Sequence, residues 1–426
     1  MKRDIVIIGG GIIGLMSAYF LQKAGRKVTL IDENDITNST SFGNAGLLSA
    51  FDKAPLSHPG VVGETIKMMM KGESPVKLHP KFDYQLIKWL LSFVKNANEE
   101  RLKKTLILFE KYGQDTIDLY KQLQKEEGLD FDFHHTGMLS VFTEQDTYDK
   151  KLKQYNYEDS KRFEVLTKSR LEEYLPCASS DVKGAILFKK NAHLDPQRVM
   201  LEMKRYLMEN GVEFILNEKI EDISFSDDKV ISVSSKSATY EANTFIMATG
   251  YQTLLAKRRK KQLLMTPAKG YSITFEMPEE LRPKTSCLFN DLFIVMTPRR
   301  GDVRLTSKLE LGSSNPAIVK AQIDSIKENF KKYTKPFEMK NIKEWSGFRP
   351  LTPNDRPLFG KDEEYDNLVY AMGLGWLGMT FAPSIAKTLE NLIVNDLKNE
   401  EDDDVLLFSG FYQGESPKKH LFCLIN

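Results

Sequence analysis

The sequence predicts two interleaved domains: an α/β unit grown from an N-terminal βαβ element, and a second domain of mixed sheet plus helices. Three observations carry this. An uninterrupted apolar run, Ile5-Val6-Ile7-Ile8, stands directly before a cluster of glycines. A long helical pattern at 61–128 then interrupts the strand–helix alternation, which returns near residue 190. At 426 residues and 41% hydrophobic, the chain is also longer than one ordinary domain needs.

Each element has its own signal. The run at 5–8 suits a parallel strand covered on both faces. Over 12–24, Leu15, Ala18, Tyr19 and Leu21 recur at helical spacing, and Gly25 suits the stop. Residues 28–31 give the second strand, ending at Asp32. After a loop rich in Ser, Gly, Asn and Pro at 41–60, helices are expected at 82–94 and 99–125. In the second, Leu102, Leu106, Phe109, Tyr112, Ile117 and Tyr120 mark an apolar face. A helix at 196–210 and strands at 212–216 and 244–248 restore the α/β pattern. The segment 266–309 is β-like, with runs at 272–275, 292–296 and 303–306, and a last helix is expected at 383–397. This partition gives 1–60, 190–256 and 344–412 to the first domain, 61–189 and 257–343 to the second, and 413–426 to a tail.

Bulk properties exclude several functions. A formal charge of +1 offers no electrostatic case for nucleic acid. Cys177, Cys287 and Cys423 are far apart and the six histidines form no ligand spacing, so no metal site is expected. Low cysteine usage fits a reducing compartment. A strand beginning at Asp4 leaves no room for a leader, and no apolar run reaches membrane-spanning length. A cytoplasmic protein is expected.

Gly9-Gly10-Gly11-Ile12-Ile13-Gly14 fits G-x-G-x-x-G between a strand and a helix, the dinucleotide fingerprint of a Rossmann-type domain. Gly9 allows the tight turn, Gly11 lets the backbone approach a pyrophosphate, and Gly14 lets helix and strand pack closely. The phosphates then meet the helix N-terminus around Ile12. Asp32, 18 residues past Gly14, can accept hydrogen bonds from an adenosine ribose and would repel a 2′-phosphate. FAD and NAD both carry this ADP. An extended flavin needs further close backbone approaches, and the small-residue loop at 41–50 and Ala248-Thr249-Gly250 supply them, which favours FAD.

With these residues in place, the chain resembles the glycine oxidase and D-amino acid oxidase superfamily of flavoproteins, and within it the bacterial D-amino acid dehydrogenases. The resemblance runs to about residue 412. Its further marks are Ser41-Phe42-Gly43-Asn44-Ala45-Gly46, Lys269-Gly270-Tyr271, Gly347-Phe348-Arg349-Pro350-Leu351-Thr352-Pro353 and the turn at 373–380. It implies a Rossmann-type FAD-binding domain, with Ser41, Asn44, Ala45, Gly46 and Leu47 by the flavin pyrophosphate and ring. Gly375, Trp376, Gly378, Met379 and Thr380 are implied near the ribityl chain and pyrimidine edge. Read without the resemblance, Asn44 is an ordinary turn residue, and the two glycines need only turn geometry.

The resemblance also implies that Arg349 grips a substrate carboxylate, a role a planar guanidinium suits. On the residues alone Arg349 reads as a structural salt bridge beside Pro350, and Arg356 reads as surface. Tyr271 could offer a hydroxyl to substrate or be a half-buried strand tyrosine. Leu374 stands where these dehydrogenases usually carry histidine. No cysteine lies near this turn, so the FAD is expected to be non-covalent. Arg304 stands where related oxidases use a lysine to activate oxygen, which favours a dehydrogenase.

The implied reaction oxidises a D-amino acid substrate by hydride transfer to flavin N5, releasing a 2-oxo acid and ammonia, with a quinone or other electron acceptor downstream. Lys257-Arg258-Arg259-Lys260-Lys261 reads first as a solvated loop and second as peripheral membrane contact on the cytoplasmic face. Trp89, Leu90, Phe93 and Val94, and the triplet Met68-Met69-Met70, read first as core. The alternatives to a dehydrogenase are a glycine- or sarcosine-type oxidase and a non-catalytic flavoprotein subunit.

Overall fold

A computed structural model describes residues 2–49, 55–70, 74, 76–79, 83–154, 161–252 and 263–397. The basic run at 257–261 and the tail at 413–426 lie outside the described residues.

The fingerprint strand Arg3–Ile8 sits centrally in an eight-stranded sheet, parallel to Val28–Ile31 on one side and to Thr239–Met247 on the other. Glu213–Ile215 extends the sheet beyond Val28–Ile31, and Leu368–Met372 also runs parallel to Thr239–Met247. Helix Ile12–Lys23 is buried on nearly every side. It packs against Pro196–Glu209 and the C-terminal helix Gly378–Val394, which explains why its sequence is apolar all round rather than striped.

The second domain is built on a nine-stranded sheet. Its long strands Lys340–Leu351, Thr266–Glu276 and Val303–Leu311 lie side by side and antiparallel, with Lys340–Leu351 at the sheet's edge. Register sorts their side chains. Ala268, Gly270 and Ser272 stand opposite Arg349, Gly347 and Trp345 on one face. Tyr271, Ile273 and Phe275 point to the other face, into a core closed by Ile323, Ile326 and Phe330 of helix Lys320–Lys332.

Two features of the expected partition change. Residues 344–351 belong to the second sheet, because the strand carrying Arg349 pairs along its length with Thr266–Glu276. The helices Glu99–Gln114 and Thr116–Glu127 bury Phe109, Tyr112, Ile117 and Tyr120 in the first domain's core.

That packing also explains the C-terminal helix, which starts five residues before the expected 383 and runs through Pro383. Proline has no N–H for the carbonyl four residues back. The Tyr120 hydroxyl supplies the missing donor to the Met379 carbonyl at 2.9 Å. The Thr116 hydroxyl likewise donates to the Thr380 carbonyl. Among the described residues no helix is long and apolar enough to cross a membrane. Trp89 is buried, with Nε1 on the Leu351 carbonyl at 2.9 Å, whereas Met70 is 85% exposed.

Candidate functional site

The glycines of the fingerprint do three different things. Gly9 has φ +111°, and a Cβ there would lie 2.3 Å from the Ala248 carbonyl oxygen. A Cβ on Gly14 would lie 2.0 Å from the Gly9 oxygen, so strand and helix touch here. Gly11 is the open one: a Cβ would have only Ser41 Oγ within 4 Å, at 3.5 Å. It starts the helix without a side-chain cap, and Ser41 Oγ accepts the Ile12 N–H at 3.0 Å. Asp32 is fixed from behind, its two oxygens accepting the N–H groups of Gly10 (2.6 Å) and Asn34 (2.8 Å). Burial raises its pKa above the usual carboxylate value.

A cleft of about 410 Å³ runs from this turn toward the second sheet. Its volume is that of a small-molecule site. Gly9, Gly11, Ile12, Asp32, Ser41 and Asn44 line it at one end. Ala248, Thr249 and Gly250 line its floor, and Gly375, Gly378 and Met379 its other wall.

Eight of the sequence-selected residues do not line the cleft: Gly14, Tyr271 and Arg349, and five, Ala45, Gly46, Leu47, Trp376 and Thr380, that brace it. A Cβ on Gly46 would lie 2.1 Å from the Leu194 oxygen, and Leu47 pairs with His193. Trp376 donates from Nε1 to Asp355 at 3.0 Å. Thr380 Oγ1 accepts the Ser49 N–H at 3.4 Å, and Ala45 follows Asn44, whose Oδ1 accepts the Gly46 N–H at 2.8 Å. Glu218 and Lys219 near Asp32, which no motif marks, also line the cleft, as do Gly347, Phe348 and Pro350 of the marked second-sheet segment. Strand order offers a signal for the first pair, since Glu213–Ile215 lies next to Val28–Ile31.

Two arginines, Arg304 buried and Arg349 half-buried, stand on the same face of the second sheet. Arg304 donates to Thr274 Oγ1 (3.1 Å) and to the carbonyls of Phe42 (3.1 Å) and Asn44 (2.9 Å). It thus ties the loop at 41–46 to the sheet. Arg349 lies across Gly270, where a Cβ would come within 2.1 Å of Nη1. Its described hydrogen bond goes to the Lys308 carbonyl at 3.0 Å. Among the described residues no carboxylate pairs with it. Burial pulls the pKa of Arg349 down to about 10 and that of Arg304 to about 9. Both remain cations at neutral pH.

Tyr271 is not brought to Arg349. It is on the opposite face and donates its hydroxyl to Glu310 at 3.0 Å. Arg356 departs from the expected surface position: it is buried, with Nε on Thr105 at 3.0 Å. The long helix Glu99–Gln114 folds over it.

The residues fit a flavin dinucleotide. Gly11 opens onto the cleft at a helix N-terminus, the Asp32 carboxylate closes one end, and Arg349 stands beside the lining residues Phe348 and Pro350 without lining the cleft itself. Cys177 and Cys287 are buried in the second domain's core, away from the cleft.

Comparison with known proteins agrees. The family model described as FAD dependent oxidoreductase matches residues 4–392. A D-amino acid dehydrogenase of Helicobacter pylori is 48% identical over 413 residues, 97% of this chain and 100% of that protein. A D-amino acid dehydrogenase of Vibrio vulnificus (strain CMCP6) is 28% identical, over 92% of this chain and 96% of its own. The crystal structure of glycine oxidase from Geobacillus kaustophilus superposes with a TM-score of 0.75 at 17% identity, covering 97% of this chain and 100% of that one.

Proposed function

Because the chain belongs to the family of FAD dependent oxidoreductases, we propose that it is a D-amino acid dehydrogenase whose Arg349 binds the substrate carboxylate. The observation that carries this reading is a half-buried guanidinium whose one described partner is a carbonyl and not an anion. A partly buried cation without a counter-ion is unfavourable, and a ligand carboxylate lessens that penalty while filling the donor fork. Bound FAD supplies a hydride acceptor at N5. The protein's part is to hold the α-carbon in line and keep the site dry.

Gly270 makes the arrangement possible, since any side chain there would occupy the space of the guanidinium. The Lys308 carbonyl fixes one edge of the fork. The Trp345 ring is wedged between Gly43 and Gly347, where a Cβ would come within 2.3 and 2.2 Å of it. It joins the loop at 41–46 to the strand of Arg349. No general base is needed if the amine is neutral when the hydride leaves. The imine product then hydrolyses to a 2-oxo acid and ammonia.

Arg304 supports a quinone-type acceptor over oxygen, because its donors are spent on the protein's own carbonyls. The test is anaerobic bleaching of the flavin by a panel of D-amino acids, L-amino acids and N-methyl amines, followed by reoxidation. D-amino acids should bleach fastest, and a quinone analogue should reoxidise the flavin much faster than oxygen. Preferential bleaching by N-methyl amines with rapid peroxide formation would place the protein among the oxidases. No bleaching by any amine would reject an enzymatic role.

A further inference from the structure

The opposite face of the second sheet carries a second cavity, about 500 Å³, separate from the cleft. Its walls include Met69, Val76 and Leu78, and its charged residues are Glu310, Lys308 and Lys77. Glu310 is 1% exposed. Its Oε2 accepts the Tyr271 hydroxyl at 3.0 Å and lies 3.4 Å from His79 Nε2. Its Oε1 is buried and has no hydrogen-bond partner among the described residues. Nearby cations do not fill that role. The Lys269 ammonium is held by the Asn315 and Ala317 carbonyls, and Lys308 Nζ donates to Ser325 Oγ at 3.2 Å.

A buried carboxylate oxygen without a donor is costly, and the usual remedy is a cation that brings its own N–H groups. In the same cavity two lysines offer charge to an anion, and the rest of the lining is mixed, with Met69, Val76 and Leu78 beside the polar Ser74 and Gln322. Carboxylate and ammonium match the two charged groups of an amino acid, and the three apolar residues can meet its side chain. We propose that this cavity is a second, non-catalytic site for a zwitterionic amino acid with an apolar side chain, its ammonium on Glu310 Oε1 and its carboxylate toward Lys308. The site goes beyond the reaction proposed for the cleft. Lys308 is the residue shared by both places: its carbonyl holds Arg349 while its ammonium lines the second cavity.

The test must separate the two sites, so it uses Arg349→Ala holoenzyme, in which the cleft has lost its carboxylate anchor. Binding of L-leucine and D-leucine is measured by calorimetry. 3-Methylbutylamine, which lacks the carboxylate, and 4-methylpentanoate, which lacks the amine, serve as matched controls. At least one leucine enantiomer should bind saturably and at least tenfold more tightly than either control. Adding Glu310→Gln or Lys308→Met should weaken it at least tenfold, and Lys308→Met decides alone if the glutamate variant does not fold. Absence of saturable leucine binding, equal binding of the amine, or binding indifferent to the substitutions would overturn the proposal.

Discussion

Arg304 and Arg349 lie on the same face of the same sheet, yet they do different things. Arg304 is buried and Arg349 half-buried, and desolvation lowers the pKa of each. Arg304 gives its N–H groups to a hydroxyl and two main-chain carbonyls, so it binds the protein to itself. Arg349 has one described carbonyl partner and a flattened glycine beneath it. Burial and charge do not tell a ligand-binding arginine from a structural one. Counting where the donors go does.

Arg349→Ala should cost about 3–5 kcal/mol in kcat/KM, roughly a few hundred- to a few thousand-fold, with FAD content and visible spectrum nearly unchanged. Arg349→Lys should recover only part of this, since one ammonium cannot match a planar fork. Steady-state kinetics beside flavin quantitation checks both. Poor folding with intact specific activity would make Arg349 structural.

Arg304→Ala should show the opposite pattern. Two buried carbonyls lose their donor, which should cost about 2–4 kcal/mol of stability. The freed loop should hold FAD more weakly. The relevant measurements are chemical denaturation and FAD dissociation. Retained flavin affinity with a selective loss of turnover would place Arg304 in the chemistry.

A satisfied but half-exposed pair marks the low end of the scale. Asp132 accepts from His134 Nε2 at 3.2 Å, and that bond raises the His134 pKa above 6.5 and holds Asp132 down at about 2. The raised histidine stabilises the fold fully below its unfolded value near 6.5, and the contribution fades as pH rises through the folded value. For the carboxylate, stability present above 3.8 is lost as pH falls toward about 2. Solvent screening keeps the effect small, about 0.5 kcal/mol or less. His134→Gln should lower the melting temperature slightly at pH 6 and not at pH 9. An equal loss at both would show that packing on His193, 5.1 Å away, is what matters.

The nucleotide end was legible in the sequence because its glycines encode local geometry that needs no partner to be read. The sheet end was less so. Which face Tyr271 and Arg349 occupy depends on strand register, and one step along a strand reverses the face. The apolar stripe at 99–125 showed that a face is buried but not against what, so these helices were expected in the wrong domain. The burial of Arg356 is not legible for the same reason, since the helix covering it lies about 250 residues earlier in the chain.

Recognition of a carboxylate by Arg349 is tested by comparing a substrate with its decarboxylated form. The rate of anaerobic flavin bleaching is measured with the best D-amino acid and with the amine left when its carboxylate is removed, in the parent protein and in Arg349→Ala. The parent should prefer the amino acid by at least about a hundredfold, and the substitution should bring that ratio close to one. A preference that persists in flavin-replete Arg349→Ala would mean that another group reads the carboxylate.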